Sequence, residues 1–303
     1  MAVPLLEPEA HAEGGALGTI GPGAVPAGPR SRRRGHGPLF WAAVVWLLLV
    51  AFCALFATWL PVPDPNAPNV IDKLSMPTWD HPLGTDGLGR ETLSRLVHGA
   101  RVSLVVSLTA VSVGMVVGGL LGMVAGFFRG WFEAALMAVI NVILAFPGLV
   151  LLLVLLAYVG QSLGVISLTI GFLSIPVYTR VARANTLAVA QREFVMAAHT
   201  MGASRARLLF REIAPNVVLP VAAFGLVAMG VVIVLEGALA FLGLSVEAPA
   251  STWGGMIAEG KRHLSTAPQV ALVPSAAMFL TVLSLNFVGD ALRRKFDVRE
   301  ANL

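Results

Sequence analysis

Few residues in this chain have types and spacings that could do chemistry. Gly255-Met256-Ile257-Ala258-Glu259-Gly260-Lys261-Arg262 comes within one residue of a phosphate-cradling loop. Arg262, however, stands where a Ser or Thr must hold Mg²⁺, and no strand pattern precedes the stretch. It is therefore not read as a nucleotide site. His81 and Asp86 invite a metal reading, but one histidine and one acid are too few ligands, and the flanking glycines read as a tight turn. The six histidines are scattered without ligand spacing. Cys53, the single cysteine, excludes an intrachain disulfide and lies in an apolar run, where it reads as a small packed hydrophobe. No catalytic constellation, metal set or cofactor site emerges.

What such a chain needs to position is set by its composition. Of 303 residues, 56% are apolar and 13% charged, about half the charge of a soluble domain. Mean hydropathy is +0.80. These values exclude an ordinary soluble enzyme, a disordered chain and a nucleic-acid binder built on a basic surface. The expected architecture is all-α and polytopic. Residues 1–37, rich in Gly, Ala and Pro, read as a disordered tail ending in Arg30-Ser31-Arg32-Arg33-Arg34. Residues 38–60 form a first span; its apolar run is too long, and lacks the cleavage site, for a signal peptide. A polar segment, 61–101, follows. Uncharged stretches then predict spans near 102–127, 134–159, 163–180, 217–243 and 269–289, six in all, with a core over 102–291 and a tail over 292–303. With the N-terminus inside, 15 basic residues fall on inner segments and 6 on outer ones. This places both termini in the cytoplasm, in a multi-pass protein of the plasma or inner membrane.

Within that frame some residues stand out. Gly114, Gly118, Gly122 and Gly126 repeat every fourth position along one helix face, which suits close helix packing or a sliding interface. Asn141 lies in the third span, which Pro147 kinks; a polar, bent helix suits a pathway wall. Glu236 falls near the outer end of the fifth span and is expected to be solvated there. The long inner loop, 183–215, carries Phe194, Ala197, Ala198, Met201, Leu208 and Leu209 at helical spacing among Arg192, Glu193, Arg205, Arg207 and Arg211. Gly202 breaks it into two short helices, and Pro215 is expected to close the second. The pattern fits either an amphipathic helix on the lipid surface or a helix docked in a groove of a cytoplasmic partner.

Four stretches together resemble one family. They are HPLGTDGLGRETLSRLVHGARVSL (81–104), EFVMAAHTMGASRARLLFREIAPN (193–216), LEGALAFLGLSVEAPASTWGGMI (235–257) and LNFVGDALRRKFDVR (285–299). As an ordered set they are similar to DppC/OppC-type permease subunits of peptide ABC importers, whose relatives carry nickel. The resemblance implies a type I ABC importer permease fold with a cytoplasmic EAA coupling helix. It also implies a heterodimer with a DppB/OppB-like permease, two cytoplasmic ATPase subunits or domains that hold ATP and Mg, and an extracytoplasmic binding protein. Nucleic acid has no part in it, and the lipid bilayer is the solvent.

On this reading Glu193, Phe194, Ala197, Ala198, Met201, Gly202, Ala203, Arg205 and Arg207 couple to the ATPases. Asp86, Arg90, Trp253 and Gly254 belong to stretches where the binding protein would dock. Asn141 and Glu236 are the pathway candidates. Two positions depart from the family: Met196 stands at the EAA glutamate, and Ala214 replaces the Leu before Pro215. The function implied is that of a permease subunit without its own ATPase site, forming half of a pathway for di- or oligopeptides. Nickel, haem or another small solute is the alternative cargo, and an ion-coupled carrier or channel the alternative class.

Overall fold

The computed structural model describes residues 37–247 and 249–301; the N-terminal tail with its arginine run lies outside them. Helix α1, Pro38–Phe56, starts with proline in its first turn, where a missing N–H costs nothing. It ends four residues earlier than expected, since Pro61 and Pro63 force the preceding chain out of helical geometry. Its surface is apolar all round, and only Ala43, Val50 and Ala54 are buried. The indole N–H of Trp46 donates to Thr281 Oγ1 at 3.0 Å and ties α1 to the last helix.

Helix α2 runs from Thr92 to Phe128, 37 residues, or about 55 Å at 1.5 Å per residue. Its first turns thus begin inside the stretch expected to be a polar segment, ten residues ahead of the predicted span. The ladder widens to a π turn at Gly114–Gly118. Helices α3 (Trp131–Ala145) and α4 (Gly148–Val159) meet at 84°. Pro147 causes this break, because it holds Phe146 in an extended conformation at φ −79° and ψ 139°. The third span is thus broken rather than kinked. Helix α5, Leu163–Ala190, is opened by the Ser162 hydroxyl, which accepts from Val165 N–H. It runs ten residues past the predicted edge of the span.

A short helix, α6 (Glu193–Thr200), leads into α7, Arg205–Phe241. Pro215 does not close a helix, contrary to expectation. A π turn at Leu208–Ile213 comes just before it and absorbs the missing donor, so the helix continues into the next span. Helix α8, Trp253–Gly260, is capped by Thr252 Oγ1, which accepts from Gly255 N–H at 2.9 Å. Helix α9, Gln269–Ala301, takes in most of the expected C-terminal tail.

Five helices (α1, α2, α5, α7 and α9) are long and apolar enough to cross a membrane, and the bent α3–α4 pair supplies up to one more. Among the described residues there is no strand, only one bridged pair, Thr85–Glu91. The core lies between α2, α5 and α7, around Val106, Ala110, Ile166, Ile170, Tyr178, Ile213 and Val217.

Candidate functional site: a capped helical elbow and a buried charge clasp

At one end of the bundle, α6 and the start of α7 make an elbow. Val195 is the buried residue of α6; with Leu208 and Leu209 it joins the core and fixes the elbow to the bundle. The turn between the helices is closed by two backbone bonds, Gly202 N–H to His199 C=O and Ala203 N–H to Ala198 C=O. This is a Schellman cap, and Gly202 takes its left-handed position at φ +83°. Glu193 lies in the first turn of α6, where its charge favours the helix dipole.

The buried residues leave Glu193, Phe194, Ala197, Met201, Gly202, Arg205 and Arg207 exposed, with Ala198 and Ala203 half-buried. The elbow therefore presents a small-residue ridge between two apolar tips, Phe194 and Met201. Hollows of about 560 and 690 Å³ flank it, the first lined by Phe127, Met196 and His199, the second by Phe194, Glu212 and Asn216. Met196 is also exposed.

The elbow is joined to the bundle through α5, and α5 is pressed on α2 along the glycine face. A Cβ added at Gly118 would stand 2.5 Å from Ile175 O, at Gly122 2.3 Å from Thr179 O, and at Gly126 3.0 Å from Arg183 O. At Gly114 it would meet the Tyr178 ring. A four-residue repeat overshoots each turn of a regular helix by about 40°. The π turn takes up part of that drift and keeps the four glycines on α5.

At the opposite end, residues 57–91 fold over the bundle and are held by a clasp of charges. Asp86 Oδ1 accepts from the backbone N–H groups of Leu88 (2.8 Å) and Arg90 (2.9 Å). Its Oδ2 accepts from Arg90 Nε at 2.7 Å and pairs with Arg95. Arg95 reaches on to Glu259 Oε2 at 2.7 Å and to Ser251 Oγ at 3.1 Å, and Arg90 Nη2 reaches the same Glu259 oxygen at 2.8 Å. Trp253 is buried, its indole N–H donating to Leu96 C=O at 3.0 Å. Gly89, at φ +75°, lies so close to Asn69 that no Cβ would fit.

The positions suggested for binding-protein docking therefore need correction. Asp86, Trp253 and Gly254 are buried, and Arg90 is nearly so, its guanidinium held by Asp86 and Glu259. These residues brace that end of the molecule and do not offer a contact surface. Arg95, Ser251 and Glu259 complete the brace and were missed, because nothing local links positions more than 150 residues apart.

Glu236 is likewise not solvated. It is 1% exposed, one oxygen accepting from the Ser245 hydroxyl at 3.2 Å and the other without a hydrogen-bond partner among the described residues. The backbones of Gly237 and Gly254 cross so closely that a Cβ on Gly254 would come within 2.4 Å of Gly237 Cα, and this crossing lays the start of α8 over the carboxylate. Asn141 is exposed on α3, and its Oδ1 accepts from Arg180 Nη2 at 2.7 Å.

Beside the clasp, the His81 ring nitrogen Nδ1 lies 2.6 Å from Glu91 Oε2, with Asp72 3.7 Å from Nε2. The hydrogen bond to Glu91 holds the imidazolium above the usual histidine range, outweighing partial burial. A raised value means that the pair's support is full below the ordinary histidine value and is lost as pH climbs through the raised one. Amide hydrogen exchange over 72–91, corrected for intrinsic rates, is expected to quicken across that rise. In His81→Gln it is expected to show no such step.

Residues 118–301, more than half of the chain, match the family described as "Binding-protein-dependent transport system inner membrane component". Curated relatives include the "Glutathione transport system permease protein GsiD" of Salmonella typhimurium, 39% identical over 88% of both chains. The proteins of the same name in Shigella flexneri and Escherichia coli are 38% and 36% identical over the same shares. Among solved structures, the inward-facing MetNI methionine ABC transporter matches with a TM-score of 0.51 at 15% identity. That match covers 67% of this chain and 96% of the transporter's. At that identity the likeness speaks for the fold alone.

Proposed function

The chain belongs to the inner-membrane components of binding-protein-dependent transport systems, and from that premise we propose that it forms half of the pathway of a di- or oligopeptide importer. It is a multi-pass permease subunit of an ABC importer. In the proposed assembly a DppB/OppB-like permease supplies the other half. Two ATPase subunits or domains, which bind ATP and Mg, take the α6 elbow in surface grooves. An extracytoplasmic binding protein delivers cargo at the clasp end, and both termini are cytoplasmic. The glutathione in the relatives' names supports a small peptide-like cargo.

The observation that carries the coupling role is the elbow itself. A rigid, Schellman-capped turn stands on buried Val195, Leu208 and Leu209 and exposes Phe194, Ala197 and Met201. Small residues at its centre favour backbone approach into a protein groove; insertion into lipid would call for large apolar residues there. Because Ala197 is exposed, Ala197→Arg should fold normally and clash only with a docked partner. We expect the wild-type complex in detergent to retain the ATPases of its own transport system. Ala197→Arg should lose most of them, and peptide uptake with them. Wild-type recovery and uptake in that variant would sink the coupling assignment.

A further inference from the structure

We infer that the break between α3 and α4 faces a water-filled pathway, with Ala145, Phe146 and the Arg180–Asn141 pair forming this chain's part of its wall. The first argument is depth. Ala145 lies about 20 Å up α3 from Trp131, inside a hydrocarbon core of about 30 Å. There the chain bends by 84°, and every residue from 145 to 150 is exposed. Phe146 N–H caps the Ile143 carbonyl at 3.3 Å, but the other last carbonyls of α3 and the first N–H groups of α4 have no partners within their own helices. Open backbone of this kind does not occur against lipid; at membrane depth it is found only inside protein or along a water-filled cavity.

The second argument is charge, and it selects water over a packed protein neighbour. Asn141 lies about 15 Å up α3 from Trp131, Arg180 reaches it from the inner edge of its own span, and both are exposed. Their bond occupies one of the guanidinium's five N–H donors. An exposed arginine that reaches from the membrane edge to a polar partner at depth, with donors still to satisfy, keeps its head in water, so the pair belongs in a hydrated cavity, the setting in which such groups mark solute paths. Asn141 and Ala145 are four residues apart and so share one face of α3, which brings the polar pair and the break onto a single wall. Ile140, the buried residue of α3, points about 100° away from Asn141.

The inference rests on the importer reading, and its test is separable from it. Cys53 is the chain's single cysteine, so Cys53→Ser gives a cysteine-free background. Into it go Ala145→Cys or Phe146→Cys, with Leu48→Cys as control, exposed on α1 about 15 Å from its start. Each variant is assembled with the partner permease and ATPases in vesicles and treated with a charged methanethiosulfonate or a membrane-soluble maleimide. Adducts are read on this chain by mass. The charged reagent should label positions 145 and 146 more than about tenfold faster than position 48, because thiols react as thiolates, which form in water. Reaction with the maleimide alone, or with neither reagent, would place the break in lipid or against another chain. Either outcome overturns the inference. Recovery of the ATPases in the same preparations reports on the importer reading by itself.

Discussion

Gly122→Ala should destabilise the chain by at least about 2–3 kcal/mol, the scale of an overpacked interior, while Gly119→Ala should stabilise it by about 0.5–1 kcal/mol. The two glycines lie on the same helix, three residues apart, and the added atom is the same methyl. At Gly122 it would stand 2.3 Å from Thr179 O, 2.8 Å from Ala182 Cβ and 2.9 Å from Arg183 N. Two of these are backbone atoms that no rotamer change moves aside, so α5 must back away from α2. At Gly119 nothing lies within 4 Å, and the methyl only removes backbone freedom from the unfolded chain. Reversible unfolding in mixed detergent micelles would read both values. Equal midpoints for the two variants would show that the α2–α5 approach is not the close contact described. Because α5 leads into the elbow, Gly122→Ala should also weaken ATPase retention, whereas Gly119→Ala should leave it intact.

The glycine face was open to a sequence reading because four-residue spacing is a local signal, carried by the chain's own periodicity. So was the elbow: small and apolar residues at helical spacing with a glycine between two helices. The ends of the long helices were not. Hydropathy registers where charges begin, whereas a helix ends where its hydrogen-bond ladder fails. In α5 the ladder continues past Arg180 and Arg183 because both side chains find partners on α3: Asn141, and Glu133 for Arg183. In α7 it continues past Pro215 because a π turn makes room. The clasp was least legible. Asp86 reads locally as a turn residue, and so it is, through its bonds to Leu88 and Arg90. Its other oxygen depends on Arg95, whose further partners, Ser251 and Glu259, are brought near only by the packing of α8 on α2. Glu236 is illegible for the same reason: a place near the end of the span points to solvent, but the loop that covers it comes from further along the chain.

Arg95→Met should cost about 3–5 kcal/mol, the penalty for removing one partner of a buried ion pair. The side chain of Arg95 is 3% exposed and that of Asp86 4%, so water cannot replace the lost guanidinium. Asp86 would keep two backbone N–H groups and Arg90, and Glu259 would lose both its contacts with α2 and keep only Arg90. Asp86→Asn in the Arg95→Met background should recover part of the loss, because it removes the charge left without its partner; the two effects are therefore not additive. The same pair predicts a pH response. Burial alone would raise the Asp86 carboxyl, but the backbone N–H of Arg90, the charge of Arg95 and the remaining donors outweigh it and hold the group below the ordinary aspartate range. A lowered value means that the stabilisation is fully present above the ordinary aspartate value and is lost as pH falls through the lowered one. Limited proteolysis of the 57–91 segment should therefore quicken as pH drops into that window in the wild type, with an acid-stable protease as the probe. In Arg95→Met it should already be fast at neutral pH and show a smaller acid step. If the variant were as resistant as the wild type at neutral pH, the clasp would not be what holds this end of the bundle closed.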